Sequence, residues 1–168
     1  MDLPFLLRRA RASSLWRIVL NRLLPWKIPF NAPHGFEAIP MRDGGIKVKI
    51  PFWRVNRNHI RGIHACAMAT AAEMCSGLAI MEHLDPKEYR LIMRSLKMEY
   101  HFQAKRSAFA ICVPPIGAIE QQVILPLRTH PSIEMESTVR VEDSDGQHLA
   151  NGTIVWQVKE WGQVRTKL

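Results

Sequence analysis

Residues 63–83 read IHACAMATAAEMCSGLAIMEH. Apolar or small side chains fill nearly every position, Ala and Met dominate, and there is no proline. A helix at a protein surface shows one apolar stripe, whereas one that is apolar on every side has to be enclosed by protein. Its many small residues allow close approach of other parts of the chain. Asp85-Pro86 ends it, because the residue before a proline is steered away from helical geometry. One charge interrupts the run between Ile63 and Met81, the carboxylate of Glu73. A carboxylate in apolar surroundings is costly unless hydrogen-bonded or paired, and burial raises its pKa toward values suited to a general base near neutral pH.

Outward from this helix the chain reads as strands. Leu96, Met98, Tyr100, Phe102 and Ala104 alternate with Lys97, Glu99, His101, Gln103 and Lys105, which predicts a half-buried strand over 96–105. SAFAICV at 107–113 predicts a second strand, ended by Pro114-Pro115. Residues 116–131 read as a loop or short helix. Alternation returns from Ile133 to Glu142, a turn is signalled at 143–146, and a last strand is expected from Gln147 to about Lys159. Upstream, Phe36–Arg42 and Ile46–Trp53 flank Asp43-Gly44-Gly45, a hairpin signal. One buried helix with antiparallel strands grouped around it predicts an α+β fold, the helix laid across a curved sheet.

Residues 4–24 read as a single amphipathic helix, with Leu7, Leu15, Ile18, Val19 and Leu23 near helical spacing and Pro25 as its stop. The first 27 residues hold Arg8, Arg9, Arg11, Arg17, Arg22 and Lys27 against Asp2 alone, which accounts for most of the net charge of +8. The helix packs on the domain or a partner subunit, or lies on an acidic membrane surface with Trp16 and Trp26 at headgroup level; in the second case residues 4–24 make a weak peripheral contact. The expected division is therefore an N-terminal basic helix, 1–27, and one domain, 28–168, with KIPFNAPH at 27–34 as a linker.

Composition narrows the function. The body lacks the basic, aromatic-interleaved stripe of a nucleic-acid domain, so no nucleic-acid partner is expected. No apolar run is long enough to span a membrane, and arginines interrupt any secretory signal. Three cysteines without a CxxC pair read as reduced thiols in a cytoplasmic protein, Cys66 and Cys75 being packing residues. Met68, Met74 and Met81 read as core, and Trp156 and Trp161 as sheet and edge packing. No histidine pair has zinc-ligand spacing, so no metal is expected.

At the helix entrance five residues separate Asn58 from His64, and eight separate His64 from Glu73. This pattern resembles the hotdog acyl-CoA thioesterases of the phenylacetyl-CoA type. In that family an Asn, a His-Gly-Gly at the helix start and an Asp or Glu on the helix form the site. The resemblance covers about 100 to 120 residues, hairpin to last strand, by element order. Here His64 is followed by Ala65-Cys66, and Arg61 stands where the family commonly has a glycine, with Gly62 beside it. The resemblance implies a hotdog fold, hydrolysis of acyl-CoA thioesters with coenzyme A only as part of the substrate, and Glu73, His64 and Asn58 as catalytic residues. A non-catalytic acyl-binding protein on the same scaffold is the alternative.

Nine residues at about 100° each turn His64 and Glu73 to opposite sides of the helix, about 13 Å apart along it. They can share a site only if two chains meet, each supplying one, so a homodimer or a dimer of dimers is expected, with sheets continuing across a two-fold axis. The amides of Ala65 or Cys66, at the positive helix end, would polarise the thioester carbonyl. Glu73 would activate water or attack directly. Arg61, Gly62 and Gly77 are placed as substrate-contacting positions, and the CoA phosphates near Arg54, Arg57, Arg61, Lys105 or Arg106.

Overall fold

The buried helix, α3, runs Ala65–Met81 and has no polar face apart from Glu73 and a few small hydroxyls. In the computed structural model, which describes residues 2–42 and 44–164, a six-stranded, fully antiparallel sheet curves around it. The strands are β1 (Glu37–Pro40), β2 (Ile46–Ile50), β3 (Tyr89–Tyr100), β4 (Ala108–Cys112), β5 (Ser132–Asp143) and β6 (His148–Glu160), in the spatial order β1-β2-β4-β5-β6-β3. This is the expected hotdog arrangement. Inward-facing Ile46, Val48 and Ile50 of β2, Ala108 and Ala110 of β4, and Val139 and Val141 of β5 are fully or almost fully buried against the helix. Cys75 pins α3 in place: its thiol donates toward the Ile46 carbonyl at 3.0 Å and lies 3.4 Å from that of Ala110. Two strands are thereby tied to one point on the helix.

The turn between β1 and β2 needs glycine at one position in particular. Gly45 has φ +70°, and a Cβ there would stand 2.3 Å from the Cys112 carbonyl oxygen. Asp43, read as part of this turn, lies outside the described residues. Strand β2 stops at Ile50 rather than Trp53, because Pro51 has no N–H for the ladder.

The strand expected over 96–105 is displaced: β3 spans Tyr89–Tyr100 and pairs with β6 from Tyr89↔Glu160 to Tyr100↔Ala150. A bulge between Met93 and Ser95 shifts the register. It also switches the alternation, so that Leu91 and Leu96, five residues apart, both turn inward; that break hid the first half of the strand from a period-two reading. Past Tyr100 the chain leaves the sheet, and the Ala104 carbonyl accepts the Ile63 amide at 2.8 Å, clamping the loop before α3. The ambiguous 116–131 stretch contains a π-helical turn, Glu120–Ile124, continued by Leu125–Leu127.

The N-terminus forms two helices rather than one. α1 (Leu3–Ala12) and α2 (Ser14–Lys27) meet at Ser13, whose backbone is extended. The break lets each helix bury its own face: Leu6, Leu7 and Ala10 from α1, Leu20 and Leu24 from α2, all in the common core. Pro25 does not stop α2, since it sits in the last turn, where the helix needs only two more residues. The apolar positions that set the expected spacing split: Leu7 is buried, but Leu15, Ile18 and Leu23 face outward. Trp16 is half-buried and stacks edge-on against Phe5 at 5.6 Å, so it is not free for a headgroup.

Arg11 locks α1 onto the body. Its guanidinium pairs with the buried carboxylate of Glu82, just past α3, and donates to the carbonyls of Met41 and Gly45 in the β1–β2 turn. Removing one partner of such a pair strands a buried charge, so Arg11→Met should cost about 3 kcal/mol. Urea unfolding should show Arg11→Met/Glu82→Leu recovering most of that loss; equal stability of wild type and Arg11→Met would show the lock to be idle.

Candidate active site

The chain before α3 is folded tightly by its own polar groups. The amide of Asn58 donates to the Gly62 carbonyl (2.9 Å), and the Asn58 side-chain oxygen accepts from the amides of Ile60 (3.2 Å) and Gly62 (3.0 Å). Asn58 therefore closes the 58–62 loop with its oxygen. Arg61, exposed, has φ +62°, the left-handed region that favours glycine. Gly62 is buried, and a Cβ on it would press to 2.6 Å from the Gln103 side chain, which covers it and donates to the Ile60 carbonyl.

His64 is the N-cap of α3. Its own amide donates to the Asn56 carbonyl at 2.7 Å, and its Nδ1 accepts the Cys66 amide at 3.0 Å. That bond leaves Nε2 as the protonated ring nitrogen, on an exposed side chain. It also uses up the Cys66 amide. The Ala65 amide makes no hydrogen bond among the described residues, and is the free donor of the pair, at the positive end of the helix. The Ala65 carbonyl accepts from the Tyr100 hydroxyl at 3.0 Å. Cys66 is exposed, contrary to the reading of it as a packing residue, because it lies on the outer side of the first helical turn. Cys75 and Cys112 are buried, and burial pushes the Cys112 thiol up to about 12, which removes it as a nucleophile.

Glu73 lies two turns further on, facing the opposite way. It lines a cavity of about 550 Å³ together with Met74, Gly77, Leu78, Met81, Leu91 and Trp156. The walls are mostly apolar, and the carboxylate makes no hydrogen bond or ion pair among the described residues. Half-burial raises its pKa above the ordinary 4.5. His64, Ala65 and Cys66 do not line this cavity, so within one chain the two halves of the predicted site stay apart.

Gly77 is where the cavity gains its width: a Cβ there would come to 3.1 Å from the Trp156 ring. Trp156 in turn donates its indole N–H to the Ser76 hydroxyl at 2.9 Å, and that hydroxyl lies 3.0 Å from the Ala72 carbonyl. Trp156 and Trp161, read as sheet and edge packing, both line the cavity, as do Met74 and Met81, read as core; Met74 and Trp156 belong to the buried core as well. Periodicity could not reveal this, because a cavity wall and a core wall ask for the same residue types.

Two asparagines were missed. Asn56, fully buried, donates to the carbonyls of His34 and Pro51 (2.9 Å each) and meets His34 Nδ1 at 2.8 Å; its carbonyl is the one that positions His64. Asn31, buried, reaches the Met74 sulfur at 3.3 Å from its amide nitrogen, while its side-chain oxygen has no partner among the described residues and the residue borders the Glu73 cavity. Among basic residues, Arg106 is already engaged by Asp143 and Asp145, whereas Arg54, Arg57, Arg61 and Lys105 are exposed. No cluster of metal-ligating side chains occurs among the described residues.

A long helix wrapped by a curved antiparallel sheet, with a carboxylate on the helix and an N-capping histidine at its start, defines a hotdog-fold protein. The chain belongs to the family described as "Domain of unknown function (DUF4442)", which it matches over residues 18–158. No curated protein matches it. Its fold is similar to that of a Pseudomonas aeruginosa protein of unknown function called a probable thioesterase (TM-score 0.72, 21% identity, covering 83% of this chain and 93% of that one). It is also similar to a thioesterase from Haemophilus influenzae (0.65, 9%, 82% and 87%) and to a mutant thioesterase from Pseudomonas aeruginosa (0.65, 12%, 82% and 90%). At these identities the likeness establishes the fold.

Because the native state holds a proton on Glu73 that the unfolded chain releases, wild type loses stability as pH rises from 4.5 through the raised value. Glu73→Gln should therefore be the more stable protein at alkaline pH, with its advantage vanishing below pH 4.5. Urea unfolding of both across that range checks this; a difference that does not vary with pH would contradict the burial of the carboxylate.

Proposed function

We propose that this protein hydrolyses acyl-CoA thioesters at a site shared between two copies of the chain. The observation that carries the proposal is Glu73: a carboxylate without a partner among the described residues, its pKa raised by burial, on the wall of an apolar cavity. Such a group has an unmet demand for a proton donor, and water beside a bound thioester would meet it. The apolar walls suit an acyl chain. The kinship of fold with proteins called thioesterases supports the reading.

The open edge of the sheet supports a dimer. β3 is twelve residues long and ends the strand order, with its outer edge unpaired in the single chain and Ile92 and Met93 exposed on it. A long open edge of this kind is a template on which another strand can pair. Antiparallel pairing of β3 with its own copy would continue the sheet across a two-fold axis and bring the His64 end of one α3 toward the Glu73 of the other.

In the proposed reaction the Ala65 amide, with the His64 Nε2–H, polarises the thioester carbonyl. Glu73 of the second copy removes a proton from water. The hydroxide adds to the carbonyl carbon, the C–S bond breaks, and the CoA thiolate takes the proton back from Glu73, leaving a carboxylic acid and free CoA. The exposed Arg54, Arg57, Arg61 and Lys105 are available for the CoA phosphates. Asn58 positions His64 and Ala65 through the loop it closes.

Steady-state assays over an acyl-CoA chain-length series test the proposal. Glu73→Ala should lower kcat by about 10²–10⁴-fold with KM little changed. The wild-type rate should rise with pH through the raised pKa, since the base must be ionised. Turnover unaffected by Glu73→Ala removes that residue from the mechanism, and tight acyl-CoA binding without turnover would make the protein a non-catalytic acyl binder. Sedimentation should give a dimer or a dimer of dimers; a monomer that turns over substrate would end the shared-site reading. Gly77→Leu should drive the Trp156 ring into the cavity and shift preference toward shorter chains, read as a changed ratio of kcat/KM between long and short substrates.

A further inference from the structure

α2 is held in one rotational setting. Leu20 and Leu24 are buried beneath it, and the Asn21 side chain brackets the Ala38 peptide of β1, donating to its carbonyl (2.9 Å) and accepting from its amide (2.7 Å). The opposite face is consequently fixed outward, and it is not polar. Leu15 is 67% exposed, Ile18 58% and Trp26 86%, while Phe30, just past the helix, is 70% exposed. At 100° per residue Leu15, Ile18 and Trp26 fall within an arc of about 80°. Arg22 sits inside the same arc, while Arg17 and Lys27 lie about 100° beyond its two edges, all three exposed. Glu37, which lies beside Arg17 and Arg22, is already paired with Lys49 at 3.0 Å.

From this arrangement we infer that α2 is a docking surface for an anionic membrane, lying in the headgroup region with Leu15, Ile18, Trp26 and Phe30 dipped into the acyl boundary. Charge complementarity selects that occupant. The same face of a second copy would set Arg22 against itself, within a segment whose first 27 residues carry six basic side chains against one acid. A protein groove would have to desolvate Arg22 at its centre, whereas at a bilayer an arginine in an apolar face extends to a lipid phosphate while its stem stays among the chains. No described helix is long and apolar enough to cross a membrane, so the contact is peripheral.

The position of this face gives the docking a use. Between outward-facing Trp26 and Phe30, the same segment contributes Ile28, and just beyond them Asn31, to the wall of the Glu73 cavity. Docking through Trp26 and Phe30 therefore sets that cavity wall next to the lipid. The membrane contact does not depend on the thioesterase reading and is tested without any enzymatic assay.

The test is co-sedimentation of the full chain with vesicles of phosphatidylcholine alone, and of phosphatidylcholine with roughly three parts in ten of phosphatidylglycerol. Binding is expected to the anionic vesicles only, and to fade as salt shortens the screening length from about 10 Å at 0.1 M to about 3 Å at 1 M. Leu15→Ser/Trp26→Ser and Arg22→Glu/Lys27→Glu should each weaken it by about tenfold or more, with far-UV circular dichroism unchanged because all four side chains are exposed. Arg106→Glu, an exposed basic site remote from α2 in sequence, should bind as wild type. Equal sedimentation with both vesicle types, or variants that bind as well as wild type, would overturn the proposal. So would a concentration-dependent self-association abolished by Leu15→Ser/Trp26→Ser without any vesicle binding, which would assign the face to a second copy.

Discussion

An α-helix without a polar face cannot stand at a surface, and the rest of this structure follows from enclosing one. α3 buries Ala67, Met68, Ala71, Ala72, Cys75, Leu78 and Ile80 on several sides at once. The enclosure needs strands from both chain halves: the β1–β2 hairpin before the helix and the four strands after it. The Cys75 thiol, set between the carbonyls of β2 and β4, is the point at which helix and sheet are registered. α1 and α2 complete the wrap, with Arg11 anchored to Glu82 and the turn at Gly45.

The enclosure is incomplete along one side, and Glu73 faces that side. Between α3 and the first half of β3 the glycine at 77 helps leave a cavity rather than close packing. Glu73 opens into that gap with no protein group to satisfy it. Burying a carboxyl that nothing pairs with weakens the fold at neutral pH, and a cost of this kind is tolerated where the group has work to do. The start of the helix is built in the opposite manner: Asn56, Asn58, His64 and Ala104 satisfy many of the loop's polar groups, and the Ala65 amide and the His64 Nε2 are among the donors left free by the described residues.

Much of this was readable from residue order. An all-round apolar segment required a wrapped helix, strict alternation over 133–142 placed β5, and Asp143-Ser144-Asp145-Gly146 placed the last hairpin. The failures have local causes. A bulge at Arg94 broke the period-two signal of β3, so its first half, which walls the cavity, passed unrecognised. Ser13 split the N-terminal helix, and the face expected to pack, carrying Leu15, Ile18 and Leu23, turned outward instead. Cys66 sits on the exposed side of a helix whose composition promised burial everywhere.

By itself the sequence determined that there is one enclosed helix, that it carries a single charge, and that His64 and Glu73 point apart; these follow from residue type and helical period alone. Tertiary structure decided which side of the helix is left open, that Trp156, Trp161 and Asn31 meet Glu73 there, and which of two adjacent amides is free. Those outcomes depend on contacts between residues as far apart as Asn31 and Trp161, and on how a single bulge re-aims a strand, which local pattern does not encode.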